Sequence, residues 1–150
     1  MAETAAKPKP PRFNHVAMSM PADALAADGR AEIVAFYNEV FGWEEYPMLT
    51  EDRRRLVLRV YTNEQFVFLI ADDPPMTCPK LDHFGLSMSS LDELAAFEDR
   101  ARAFAERDDR VEVSERHLED YGMLKLHSVY IRYLLPMQVE LQHYEYTPAT

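Results

Sequence analysis

The chain is 150 residues long, enough for one domain with its own core. Apolar side chains make up 47% and charged ones 28%, an ordinary globular balance, while 16 basic against 26 acidic side chains give a formal charge of -10. Such a surface repels nucleic acid and anionic membranes, the lone Cys78 excludes an internal disulfide, and no apolar run approaches the length of a membrane span.

Residues 1–12 are polar and Pro-rich, read as a disordered leader, and lack the apolar stretch of a signal peptide. With the single cysteine this fits a cytoplasmic protein without nucleic-acid or membrane partners. The first strand falls at Phe13-Asn14-His15-Val16-Ala17-Met18-Ser19-Met20. A helix is predicted over 29–41, where Ile33, Phe36, Tyr37, Val40 and Phe41 form one apolar stripe, with Asp28 as N-cap and Gly42 in the left-handed C-terminal position. Strands are predicted near 43–48, 55–61 and 64–71, with Thr62-Asn63-Glu64 turning the last pair. The triplet Arg53-Arg54-Arg55 reads as a solvated hairpin.

The Pro-rich stretch 73–80 is the clearest break, after which the pattern repeats. Leu81-Asp82-His83-Phe84-Gly85-Leu86-Ser87-Met88 matches the opening strand at an offset of 68 residues (83 − 15), with His, Ser and Met coincident. A second helix is predicted over 91–106, opened by the capping box Ser90-Leu91-Asp92-Glu93, and strands near 110–117, 124–134 and 137–144. The expected architecture is α+β: two βαβββ modules, 13–72 and 81–146, forming a curved mixed sheet around one cleft in a single domain.

Strand alternation assigns the candidate chemistry. His15, Ala17 and Ser19 share one face, as do His83, Gly85 and Ser87, whereas Val16, Met18 and Met20, or Phe84, Leu86 and Met88, face the helices. Both histidines therefore point to the concave side beside small residues. Glu140 sits among apolar neighbours in Val139-Glu140-Leu141, where a carboxylate is costly to bury without a partner. Two imidazoles and a carboxylate suit non-haem Fe(II), or Mn(II) or Zn(II), and leave positions open for substrate. The competing reading is that the histidines are hydrogen-bonded structural residues and that Glu140 pairs with Arg59 or Arg132. His143 and His127 lie in opposite phase to Glu140 and Tyr130 and should face away. His117 falls near a loop and could reach the pocket mouth, a solvated or structural role being the competing and favoured reading.

The chain resembles the vicinal oxygen chelate superfamily of glyoxalase I, extradiol dioxygenases, methylmalonyl-CoA epimerase and bleomycin- or fosfomycin-resistance proteins. The likeness is carried by Phe13-Asn14-His15-Val16, Phe36-Tyr37-Asn38-Glu39-Val40-Phe41-Gly42-Trp43-Glu44, Asp82-His83-Phe84 and Val139-Glu140-Leu141, and covers residues 13–144. It implies His15, His83 and Glu140 as metal ligands, with Fe(II) or Mn(II) ahead of Zn(II) or Ni(II), and a homodimer in which modules are sometimes exchanged so that sites form across subunits. Glyoxalase I and the epimerase use a fourth ligand on the last strand of module one. Here that strand is Phe66-Val67-Phe68-Leu69-Ile70, and only a register shift would bring Gln65 or Asp72 into play. Three ligands resemble the dioxygenase arrangement, as does Tyr130, ten residues before Glu140 (140 − 130), which implies a substrate contact or proton donor. Against ring cleavage stand Phe68, where those enzymes carry an acid–base His, and Leu134-Leu135-Pro136, which replaces their usual turn and would shape a pocket or partner contact. Tyr121 and Arg132 are the candidate substrate contacts by phase and polarity. The expected function is a divalent-metal-dependent enzyme on a small molecule, dioxygenase-like by ligand count. The alternatives are a metal-free binding or resistance protein and a glyoxalase- or epimerase-like isomerase.

Overall fold

The computed structural model describes residues 9–49 and 54–147. Most of the expected leader, 1–8, and Arg53 lie outside them. Strand β1 (His15–Met20) leads through a single 3-10 turn (Asp23–Leu25) into α1 (Ala27–Phe41), followed by β2 (Glu44–Glu45), β3 (Arg55–Arg59) and β4 (Phe66–Ala71). The second half runs β5 (His83–Ser87), α2 (Leu91–Ala105), β6 (Glu112–Val113), β7 (His117–Asp120), β8 (Leu124–Arg132) and β9 (Gln138–Tyr146). The strand orders are β1-β4-β3-β2 and β5-β9-β8-β6, with β7 also pairing β8. In each module the first strand runs parallel to the last, and the other pairs are antiparallel. The duplication inferred from the histidine repeat is therefore a duplication of topology.

Local chemistry sets the helix ends. Gly42 takes φ 73°, its N–H donates to the Asn38 carbonyl, and the Asn38 side chain donates to the Trp43 carbonyl. Only a residue without a Cβ adopts this left-handed stop at little cost. The Ser90 hydroxyl accepts from the Glu93 N–H and caps α2 as expected. Asp28 does not cap α1, which starts two residues earlier behind Ala26 with no side-chain cap. The cause is packing of the preceding turn: a Cβ on Gly29 would lie 2.6 Å from the Ala24 carbonyl oxygen, so the chain is tightly wound here and leaves Asp28 in the first turn.

One further expectation is corrected. The strand near 110–117 is two short pieces, β6 and β7, on successive stretches of β8. The chain leaves the ladder between them because Arg116 turns to Glu98 of α2, at 2.6 Å, while Arg102 holds the other carboxylate oxygen at 2.9 Å. Burial works to raise the Glu98 pKa, but these two guanidinium groups outweigh it and hold the carboxyl below its ordinary value. In the loop Leu134-Leu135-Pro136, Leu135 is buried in the core and its two neighbours are half-buried.

Both sheets and both helices share one core. Its centre is aromatic: Trp43 stacks on Tyr37 with centroids 4.8 Å apart, Phe36 meets Phe104 edge-on at 5.0 Å, and Phe41 faces Phe97 of the other module at 6.1 Å. The Tyr37 hydroxyl donates to the Tyr133 carbonyl at 2.8 Å, so the buried phenol that the apolar stripe brings in is satisfied across the modules. Outside this core Arg110 grips Glu32 of α1 through two bonds of 3.0 and 3.1 Å. Trp43 is 1% exposed, and Trp43→Ala should cost about 3–5 kcal/mol in denaturant unfolding followed by circular dichroism. A loss under about 1 kcal/mol would mean that this aromatic centre is not what joins the modules.

Candidate metal centre and its polar face

Strand pairing places the site residues. His83, Gly85 and Ser87 of β5 lie opposite Gln138, Glu140 and Gln142 of β9, and Tyr130 of β8 lies opposite Glu140. The alternating residues Val129, Ile131, Val139 and Leu141 are buried against the helices. One face of this sheet thus carries the polar side chains and the other the core, as period-two alternation requires.

Glu140 is 4% exposed, and its Oε2 lies 3.2 Å from His83 Nε2. Neither Arg59, which pairs with Glu44, nor Arg132 is its partner. The His83 Nδ1 lies 2.7 Å from the Leu81 carbonyl oxygen, which only accepts, so Nδ1 carries a proton and Nε2 faces the carboxylate. A neutral imidazole would set a lone pair against that carboxylate. Either a second proton on the ring or a cation between the two groups resolves the conflict. The pair also keeps its approach open, because a Cβ on Gly85 would stand 3.7 Å from Glu140 Oε2 and Gly85 has none.

His15 shows the same local preparation elsewhere. Its ring stacks flat on Phe66 at 4.8 Å, and Nδ1 lies 2.8 Å from Asn14 Oδ1, which sets the proton on Nδ1 and leaves Nε2 outward. It does not join the other two within the chain: among the described residues no three His, Cys, Asp or Glu side chains converge closely enough to hold a metal. His15 instead lines a cavity of about 490 Å³ with Trp43, Phe66, Gly85 and Ser87, whose lining includes neither His83 nor Glu140. The donor types fit a divalent ion: two imidazoles set to present Nε2 and a buried carboxylate, with two of the three donors adjacent.

The register also places the positions considered for a fourth ligand. His15 pairs with Phe66 and Ala17 with Phe68, whereas His83 pairs with Gln138 and Gly85 with Glu140. Phe68 therefore stands where module two has Glu140, and Val57, opposite Phe68, stands where it has Tyr130. Asp72 follows the end of β4 and Gln65 precedes its start.

Tyr130 meets His83 edge-on at 5.2 Å. Burial first, then its hydrogen bond and charge interaction with Glu140, push the phenol up to about 12. Tyr121 is 65% exposed in the turn after β7, with its hydroxyl donating to Glu119 at 2.8 Å. Arg132 is half-buried on the Tyr130 face. His127 and His143 pair with each other on the opposite face, as phase indicated. His117 opens β7 opposite Ser128, and its ring lies 6.0 Å from that of Tyr130, so it reaches the polar face. The signal was its even spacing from Glu119 once a strand starts there.

No family model and no curated protein matches the chain. Solved structures do. An integron cassette protein from the mobile metagenome of Halifax Harbour Sewage Outfall aligns with 88% of this chain and 97% of its own, at 16% identity and TM-score 0.60. The genomically encoded fosfomycin resistance protein FosX from Listeria monocytogenes gives 89% and 93%, 13% identity and 0.58. A glyoxalase/bleomycin resistance protein from Albidiferax ferrireducens T118 gives 87% and 98%, 15% identity and 0.57. The chain shares the fold of these solved structures, two helices against two mixed sheets of four and five strands. At these identities the likeness is one of fold. No helix among the described residues is long and apolar enough to cross a membrane.

The Tyr130 phenol has a measurable consequence. Raised above its unfolded value of ~10, the neutral form favours the fold below about pH 10 and that contribution is lost as pH rises through about 12. In an alkaline titration followed by phenolate absorbance, Tyr130→Phe should delete a transition near pH 12. Loss of a transition at the ordinary tyrosine value would contradict the burial and the Glu140 contact.

Proposed function

We propose that the chain is a divalent-metal-dependent enzyme acting on a small molecule with adjacent oxygens, and that the ion is held by His83 and Glu140 of one copy and His15 of a second. The observation that carries this reading is the approach of His83 Nε2 to the buried Glu140 carboxylate, at 3.2 Å, with the ring's other nitrogen committed to a backbone carbonyl. The third donor comes from symmetry. β1 and β5 each end their sheet and each pairs with one neighbour. Setting β1 of one copy beside β5 of another continues the curved sheet and brings His15 to the side of His83, twice per dimer.

The divalent ion would supply Lewis acidity to substrate oxygens. Fe(II) and Mn(II) suit a nitrogen–oxygen set best, with Zn(II) and Ni(II) also accommodated. Tyr130 stays protonated at neutral pH and offers its O–H as a hydrogen-bond donor to substrate over Glu140. Phe68 in the fourth-ligand place supports a three-ligand, dioxygenase-like centre over an isomerase.

A second reading, a metal-free small-molecule binder, draws on the aromatic-lined cavity of about 490 Å³, which does not include the His83–Glu140 pair. Metal analysis separates the two: stoichiometric iron or manganese lost in His83→Ala supports the enzyme, and no metal under any loading condition supports the binder.

Mixing tests the shared site. His15→Ala and His83→Ala proteins should each bind no metal, yet refolded together they should regain about a quarter of wild-type binding, because half the dimers are mixed and each holds one intact site. No recovery would place all three donors in one chain or sink the site.

A further inference from the structure

We infer that the substrate of this site is an anion, with a carboxylate- or phosphate-type group anchored by Arg132; this rests on the metal-centre reading above and assigns its substrate class. In a chain with 26 acidic side chains, an arginine without a carboxylate is unusual. Every other described arginine has an ion pair, hydrogen bond or ring contact, as Arg30 has Glu45 and Arg116 has Glu98. Among the described residues none ion-pairs with Arg132, hydrogen-bonds its side chain or offers it a ring.

Its nearest cross-strand carboxylate is engaged elsewhere. Glu112 of β6 lies opposite Arg132, but its Oε2 is 3.1 Å from Lys80 Nζ. Gln138, next to Val139 where the β8–β9 ladder ends, donates its side-chain amide to the Lys80 carbonyl. Lys80 thus occupies both groups, and the guanidinium is left half-buried with its donors unused. A planar fork of donors held in this way recognises an oxyanion through paired hydrogen bonds.

The position connects the anchor to the ion. Arg132 is two residues from Tyr130, so both point to the same face, and Tyr130 lies directly opposite Glu140. Arg132 and Glu140 are then diagonal neighbours on adjoining strands, about 7–8 Å apart. One small molecule can put adjacent oxygens on the ion and a distal anionic group on Arg132. The anion also offsets the acidic surroundings of Glu112, Glu119 and Glu140, which would otherwise favour a cationic ligand.

The test compares two chelators with the same chelating end, on full-length Mn(II)-loaded protein by calorimetry. Malate carries a distal carboxylate and 2-hydroxybutanoate lacks it. Arg132→Gln should weaken malate about tenfold or more, leave 2-hydroxybutanoate within about twofold, and leave Mn(II) affinity unchanged. Arg132→Lys should recover part of the malate affinity. Equal effects on both chelators, or none on malate, would overturn the anchor. A metal-free arm separates this from the metal reading: in chelator-treated protein, inorganic phosphate should shift the Arg132 Nε resonance saturably. A shift without any Mn(II) binding keeps the anchor and sinks the metal centre. No shift, with Mn(II) bound normally, sinks the anchor alone.

Discussion

A carboxylate with almost no access to water has to be answered by positive charge or strong donors, and Glu140 is that carboxylate. Its strand neighbours Val139 and Leu141 are fully buried, which anchors β9 in the core and leaves Glu140 no freedom to swing into solvent. The answering groups come from the strands on either side, His83 from β5 and Tyr130 from β8. Each is oriented by a further contact: His83 by the Leu81 carbonyl, and Tyr130 by its backbone bond to Ser114 where the edge strand breaks. The local geometry of three strands is organised around one charge.

The two modules share a topology but not a chemistry. Module one keeps the histidine and replaces the carboxylate and phenol by Phe68 and Val57. Phe66, beside them, lies flat on His15. His15 is thus stacked on a ring with Nε2 outward, and its own module offers it neither a carboxylate nor a phenol at the equivalent places. The modules join through helix and aromatic contacts, with Tyr37 bonded to Tyr133 and Phe36 edge-on to Phe104, and β1 and β5 remain separate sheet ends.

Much of this was legible in the amino-acid order. The 68-residue repeat gave the two modules, and alternation gave the faces of His83, Glu140, Tyr130 and both outward histidines. Those signals are periodic and local. What failed was set by tertiary contact: the break between β6 and β7 follows from Arg116 reaching a helix eighteen residues back (116 − 98), and the α1 start follows from the tight approach at Gly29. A strict 68-residue offset would set Glu140 against Asp72 (140 − 68), but the segments between β1 and β4 and between β5 and β9 differ in length, and the strand register makes Phe68 the equivalent. Convergence of the three donors depended on how modules pack, which no single-strand pattern encodes.

The most direct test of the shared metal centre is the anomalous difference map of zinc-soaked crystals. The account predicts one peak per chain at ~2.1 Å from His83 Nε2 and a Glu140 oxygen, with the third protein donor being His15 of a neighbouring copy. A peak bound by His15 and His83 of the same chain, or no peak between His83 and Glu140, would contradict it.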